Sequence, residues 1–328
     1  MIAGPVFIVG CTRSGTTLLR RILNRHPSIA ICPETHFQRL VYRRRKAFGD
    51  LTNLENRRRL VAEYVSCRPM SRPVFATPEF AERLLRESTS YREMFISILA
   101  HYAEQTGKTR CGEKTPLHSA FLETLCEWFP DASILHLVRD PRACVASLQK
   151  VPFASGNVLM NARRWVRINQ AAACFRQRPG YLEVRYEELV TDPENAVRRI
   201  CSFLNEDYSP SLLGASRLEE PAEQGDRGEL RTNRVSAWKD ELSPMEIAQI
   251  EWVTGPNLEH FGFARDQSAA SILTIGRGLV HAGIDIARSA ATRLPAIWYR
   301  VMEPTRIKDY EYWSGPKSWR GKSPGPLR

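Results

Sequence analysis

No stretch of this 328-residue sequence stays apolar for the ~18–20 residues that a membrane span needs. The opening Met1-Ile2-Ala3-Gly4 has no basic segment leading into an apolar signal core, so a cytoplasmic location is expected. No Cys-x-x-Cys pair occurs among the eight cysteines at 11, 32, 67, 111, 126, 144, 174 and 201. That spacing speaks against a disulfide framework or a metal site and for small buried side chains. No internal repeat is visible. Acidic residues are in short supply, 36 against 47 Lys and Arg, which leaves a net charge of +11. Such an excess suits nucleic acid, an acidic membrane surface or a highly phosphorylated small ligand, and by itself does not choose. The remainder is ordinary globular composition, 43% apolar and 25% charged, long enough for one large domain or two modest ones.

Pro5-Val6-Phe7-Ile8-Val9 is β-branched and aromatic without alternation, which suits a strand buried on both faces of a parallel sheet. Gly10 to Thr17 follows, then Leu18, Leu19, Ile22 and Leu23 at helical spacing, giving strand, glycine-bounded loop and helix. A second short strand, Ile29-Ala30-Ile31-Cys32, ends at Pro33-Glu34-Thr35, with a helix expected over 36–47. Residues 37–110 carry basic runs at 43–46 and 57–59 and helical periodicity in 79–88 and 91–105, and read as a helical insertion. The run Arg110 to Pro116, with a strand end expected before Lys114, and strands at 133–138 and near 181–184 alternate with helices over 118–128, 157–177 and 193–204. A capped helix start follows at Asp240 to Pro244, and a domain end at Gly262-Phe263. The α/β rhythm predicts a P-loop-type central parallel sheet with helices on both faces. Residues 1–265 form that domain, and 266–328 a basic C-terminal helical extension. The extension holds ten Lys and Arg against five Asp and Glu. Its 271–302 stretch reads as a basic amphipathic helix or helix pair, packed on the domain or lying on a membrane surface, with a frayed end.

The loop Gly10-Cys11-Thr12-Arg13-Ser14-Gly15-Thr16-Thr17 puts backbone N–H groups and a helix N-terminus before an anion. A Walker A loop has lysine after its second glycine, to reach the β- and γ-phosphates; Thr16 stands there, and the cation sits earlier as Arg13. After Leu135-His136-Leu137-Val138 comes Arg139, not a metal-binding aspartate. The pattern predicts a phosphate-bearing donor without an essential metal.

These residues resemble the sulfotransferases that use PAPS (3′-phosphoadenosine 5′-phosphosulfate), in the branch of bacterial and tyrosylprotein enzymes. Pro5 to Leu19 looks like their 5′-phosphosulfate loop, and Leu135 to Ser147, containing Arg139-Asp140-Pro141-Arg142, like their 3′-phosphate motif. Two motifs in the right order, about 125 residues apart, are far more specific than one loop. Glu113-Lys114-Thr115-Pro116, Val184 to Leu189 and Trp238 to Leu242 match further; the likeness spans about 5–263 and thins over 37–110.

The resemblance implies that Arg139 and Ser147 hold the 3′-phosphate, a clamp that charge-assisted hydrogen bonds explain physically. It also implies that the amides of Ser14, Gly15, Thr16 and Thr17, with Arg13, hold the 5′-phosphate, and that Lys114 reaches the same region. Sulfuryl transfer, like phosphoryl transfer, is mostly positioning and charge stabilisation, plus a base for the acceptor proton. Aryl-type members carry that base as a histidine after Lys-Thr; here Pro116 stands in its place. The branch with a carboxylate after the second strand matches Pro33-Glu34-Thr35, so Glu34 is the expected base, with His36 and His118 as alternatives. Burial raises its pKa and Arg13 lowers it, with the net sign open. Tyr186 is expected to contact the nucleotide or to anchor strand to helix. Arg231, Arg234 and Lys239 either close over the 3′-phosphate or form a solvated basic loop. Arg142 serves either the phosphate or a surface ion pair.

The expected partners are thus PAPS, leaving as PAP (3′,5′-ADP), and a hydroxyl-bearing acceptor: a glycan, a lipid, a peptide tyrosine or a small metabolite. No nucleic acid is expected, and the basic runs at 43–46 and 57–59 are either an anionic-acceptor surface or solvated helix faces. Rival readings are a P-loop kinase, which needs ATP and Mg²⁺, and an inactive anion- or nucleic-acid-binding protein of the same fold.

Overall fold

The computed structural model describes residues 4–151, 154–214 and 232–266. The extension beyond 266, with its 271–302 segment, and Arg231 lie outside the described residues. Five strands, β1 (Val6–Gly10), β2 (Ile29–Cys32), β3 (Arg110–Lys114), β4 (Ser133–Val138) and β5 (Tyr181–Arg185), form one sheet in the order β2-β3-β1-β4-β5. Every neighbouring pair is parallel, with Ile8 beside Lys114 and Leu135, and Cys32 beside Glu113.

Both faces are covered, which is why the strands read as unbroken apolar runs. Val6, Ile8, Ile29, Ile31, Leu135 and Leu137 pack with α1 (Thr16–Leu23) on one face. Phe7, Val9, Ala30, Cys32 and Ile134 pack with the segment between β2 and β3 on the other. That segment is helical, as expected: α2 (Phe37–Leu40), α3 (Arg45–Phe48), α4 (Leu54–Val65), α5 (Pro78–Glu87) and α6 (Tyr91–Gln105). Asn53, Thr77 and Ser90 accept first-turn amides of α4, α5 and α6, and Pro78 at the first position of α5 adds a preset φ.

The single helix expected over 36–47 is broken. A 3₁₀ turn at Tyr42–Arg44 separates α2 from α3, where the Tyr42 ring turns in against Trp128 and Tyr91. The basic runs are partly consumed by structure. Arg44 pairs with Glu63 at 2.9 Å, Arg57 donates to Leu51 O, and Arg59 donates to the carbonyls of Ala47 and Phe48.

Beyond β3 the chain makes a 3₁₀ segment, Pro116–Phe121, and then α7 (Leu122–Trp128) where one helix was expected. It continues through α8 (Pro141–Gln149), α9 (Val158–Ala173), α10 (Tyr186–Thr191) and α11 (Pro193–Leu204) to α12 (Trp238–Glu241), α13 (Pro244–Thr254) and α14 (Pro256–His260). Ser243 and Glu246 close a capping box on α13. No cysteine is disulfide-bonded; Cys11, Cys32, Cys144 and Cys201 are buried as expected, but Cys174, at the end of α9, is exposed. No helix among the described residues is long and apolar enough to cross a membrane.

Candidate active site

Parallel strands end on the same edge of a sheet, and ligand sites of open α/β folds form there, where the strand order reverses. Here that edge collects the ends of β1, β2, β3 and β4, and with them Arg13, Glu34, Lys114 and Arg139.

The β1–α1 loop needs two left-handed residues. Arg13 (φ 75°) and Gly15 (φ 94°) turn the chain so that α1 starts at Thr16 with its first amides facing the loop. A Cβ on Gly15 would lie 2.4 Å from a ring carbon of Tyr186, so only glycine fits against that buried ring. At the end of β4, Asp140 caps α8 by accepting the Arg142 amide, with Pro141 in the first turn, and this holds Arg139 at the strand end.

The two motifs meet. Arg13 Nε donates to Ser147 Oγ at 3.0 Å, and Arg139 Nη1 donates to Arg13 O at 3.0 Å. Arg139 Nη2 donates to Arg234 O at 2.8 Å, which joins the stretch before α12 to the end of β4. The Arg139 guanidinium also lies 4.3 Å from the centre of the Tyr186 ring, so Tyr186 wedges between loop and arginine. Ser14 Oγ and Arg139 Nε are buried polar atoms without a hydrogen-bond partner. Arg142 behaves differently: it is buried, 2.7 Å from both Asp140 and Glu251, and stacked on Trp238. It forms no surface ion pair but an internal one that ties α8 to α13. Lys239 lies against Trp238, 5.6 Å from the ring centre.

Across the edge, the second constellation comes from β2 and β3. Lys114 is 1% exposed and its Nζ lies 2.5 Å from Glu34 Oε1. His36 Nε2 lies 3.2 Å from Glu34 Oε2. Burial pushes the Glu34 carboxyl up, but Lys114, His36 and Arg72 outweigh it and bring the pKa down to about 2. The net sign is therefore downward, and the cation chiefly responsible is Lys114, not Arg13. His118, an alternative base, sits 2.9 Å from the wholly buried Glu113 beneath this pair.

Sequence reasoning overlooked three participants. Glu113 Oε1 accepts from Thr35 N, Thr35 Oγ1 and Thr115 Oγ1, pinning the Glu34 corner to β3; a carboxylate inside a buried strand was the available signal. Arg72 donates to Glu34 O at 3.3 Å, and Arg164 from α9 donates to Thr12 Oγ1 at 3.2 Å. Neither stands near a motif.

A parallel sheet with a glycine-bounded loop at its switch point, two motifs joined through arginines and a carboxylate–lysine pair opposite make a P-loop-type α/β fold with its candidate site at the strand ends. A sulfotransferase family model matches residues 5–210, and the chain belongs to that family. It is 27% identical to nodulation protein NoeE of Sinorhizobium fredii, over 77% of this chain and 64% of NoeE, so it spans less than two thirds of that relative. It is 25% identical to a putative protein-tyrosine sulfotransferase of Caenorhabditis briggsae, over 80% of this chain and 90% of the other. The sulfotransferase domain from the curacin biosynthetic pathway shares the fold at a TM-score of 0.58 and 20% identity, covering 80% of this chain and 99% of that one.

Proposed function

We propose that this sulfotransferase takes its sulfuryl group from PAPS and gives it to an acceptor hydroxyl, with Glu34 as general base. The observation that carries the reading is the joining of Arg13, Ser147 and Arg139 into one cluster beside the loop amides, with Glu34 and Lys114 facing it across the strand ends. A donor with phosphates at two positions fits this arrangement. Ser14 Oγ and Arg139 Nε are buried polar atoms left unpartnered in the protein, and the first turn of α1 offers its amides. Ser14 to Thr17 and Arg13 are assigned to the 5′-phosphate, and Arg139 and Ser147 to the 3′-phosphate. Arg234, whose carbonyl accepts from Arg139, is assigned to the 3′-phosphate side, and Tyr186, packed between Gly15 and Arg139, to support of the loop.

The donor supplies an activated sulfur–oxygen bond, and the protein supplies position and charge. Loop amides and Arg13 stabilise the negative charge that grows on the departing phosphate oxygen. Lys114 neutralises Glu34 until it is drawn to the donor, which frees the carboxylate for the acceptor. Glu34 then takes the hydroxyl proton as the acceptor oxygen bonds to sulfur in line. The acceptor is a hydroxyl compound; a tyrosine phenol is one candidate, since a relative is named a putative protein-tyrosine sulfotransferase.

Thermal unfolding with PAP in Mg²⁺-free buffer tests the donor assignment. A concentration of 100 times Kd should stabilise the chain by about 2.7 kcal/mol. Arg139→Ala should abolish the shift, and no shift with PAP at tens of micromolar would refute the donor. Glu34→Ala with unchanged turnover of labelled PAPS would remove the base.

A further inference from the structure

Three side chains around Glu34 have no part in the mechanism above: His36, His118 and Glu113. His36 adopts a left-handed backbone conformation (φ 53°), rare for a residue with a Cβ, and the turn brings its ring back onto Glu34. The corner that enforces this is held from three sides. Thr35 donates its amide and hydroxyl to Glu113 Oε1, at 2.9 and 2.5 Å, while Thr35 O accepts from Tyr64 Oη at 3.1 Å and Glu34 O from Arg72. The two oxygens of Glu34 are thereby divided: Oε1 on Lys114 at 2.5 Å, Oε2 on His36 Nε2 at 3.2 Å. The other ring nitrogen, His36 Nδ1, is buried with no partner.

We propose that His36 is the positioning residue of the general base: it donates Nε2–H to Glu34 Oε2, keeps Oε1 aimed at the acceptor once Lys114 leaves, and switches the base off when Nδ1 is protonated. The inference rests on Glu34 being the base. Its physical core is that an ionised carboxylate beside a neutral imidazole selects the tautomer with hydrogen on the nitrogen facing it. Nδ1 then keeps its lone pair, and a proton there makes an imidazolium that holds Glu34 as an ion-pair partner and weakens its basicity. Burial lowers the His36 pKa below the ordinary 6.5, so the ring is neutral at pH 7. The charged and titratable groups facing it are Glu34 and Glu113, which favour the imidazolium, and His118 and Arg39, which oppose it. Lys114 and Arg72 act on Glu34. Beside Lys114 and His36 the Glu34 carboxyl is held down to about 2, so an acid limb below the ordinary 6.5 of histidine belongs to His36 rather than to the carboxylate.

The test uses the full chain labelled with ¹⁵N-histidine. At pH 7 the resonance lost in His36→Gln should report the Nε2–H tautomer, and its midpoint should fall in Glu34→Gln. A bare Nε2 facing Glu34 would overturn the proposal whatever the donor or acceptor proves to be. The second arm follows sulfate release from ³⁵S-labelled PAPS with water as the acceptor. His36→Phe should lower kcat at least tenfold with KM for PAPS within twofold. His36→Gln, whose amide can donate to Oε2, should recover most of that loss and abolish the acid limb. An acid limb unchanged in His36→Gln, or full turnover in His36→Phe, would refute the role of His36. Full turnover in Glu34→Gln would instead refute the base itself, and absence of PAP binding the donor, and each of these leaves its own signature.

Discussion

Replacing Gly15 by alanine perturbs the loop in two separable ways. The residue sits at φ 94°, where a Cβ costs about 1–2 kcal/mol of backbone strain. The new methyl would also lie 2.4 and 2.8 Å from two carbons of the Tyr186 ring. That ring is 7% exposed and has the Arg139 guanidinium over it at 4.3 Å, so it cannot simply swing away. Overpacking of this kind costs about 1–3 kcal/mol, giving a total of about 2–5 kcal/mol. A double-mutant cycle with Tyr186→Ala divides the two effects: in that background only the strain of about 1–2 kcal/mol should persist, so the coupling should be about 1–3 kcal/mol. Urea unfolding of the four proteins measures it, provided the m-value is common to all. The displaced loop should also weaken PAP binding at least tenfold, or about 1.4 kcal/mol. If Gly15→Ala costs the same in both backgrounds to within about 0.5 kcal/mol, the contact with Tyr186 does not constrain the loop and the reasoning fails.

Ser147→Ala removes the oxygen that receives Arg13 Nε at 3.0 Å. A hydrogen bond to a charged group contributes about 1.5–3 kcal/mol, so PAP affinity should drop at least tenfold in calorimetric titration, and unaltered affinity would separate Ser147 from the donor site. His136, wholly buried in β4 between Tyr181 and Asn169, has its pKa pushed down by burial to about 4. The unfolded chain therefore binds a proton near pH 6.5 that the native one refuses until about pH 4. Stability should thus fall across that window by about 1.4 kcal/mol per pH unit. Urea unfolding between pH 7 and 4.5 should show this slope and His136→Gln should flatten it.

What the sequence made legible is what is local in the chain. The glycine loop, the Arg139-Asp140-Pro141 strand-to-helix turn and the α5–α6 pair each announce themselves within about fifteen residues, through caps, prolines and period. Glu34 is legible as a candidate, but its state is not, because Lys114, 80 positions further along the chain, meets it through the β2–β3 register. Arg142 and Arg139 look equivalent in sequence; Asp140, Trp238 and Glu251, the last on a helix 109 residues further on, hold Arg142 in an internal ion pair. The 36–47 stretch has helical composition throughout, and the break at Tyr42 comes from rings on Tyr91 and Trp128. Tertiary contacts override propensity there, as they do for α10, too short to show a period.

The central place of β1 has a consequence for how the chain is made. Its two neighbours are β3 and β4, and its first pairing partner, Gly112, follows Val6 by about a hundred residues. A ribosome adding roughly 5–20 residues per second needs about 5–20 s to deliver that partner. During this interval the apolar run Val6-Phe7-Ile8-Val9 has neither of its neighbouring strands to join, and the helices between β2 and β3 are the structure that comes to cover its Phe7 face. The segment that separates the strands along the chain therefore also shelters the earliest one while the sheet waits for its middle to be completed.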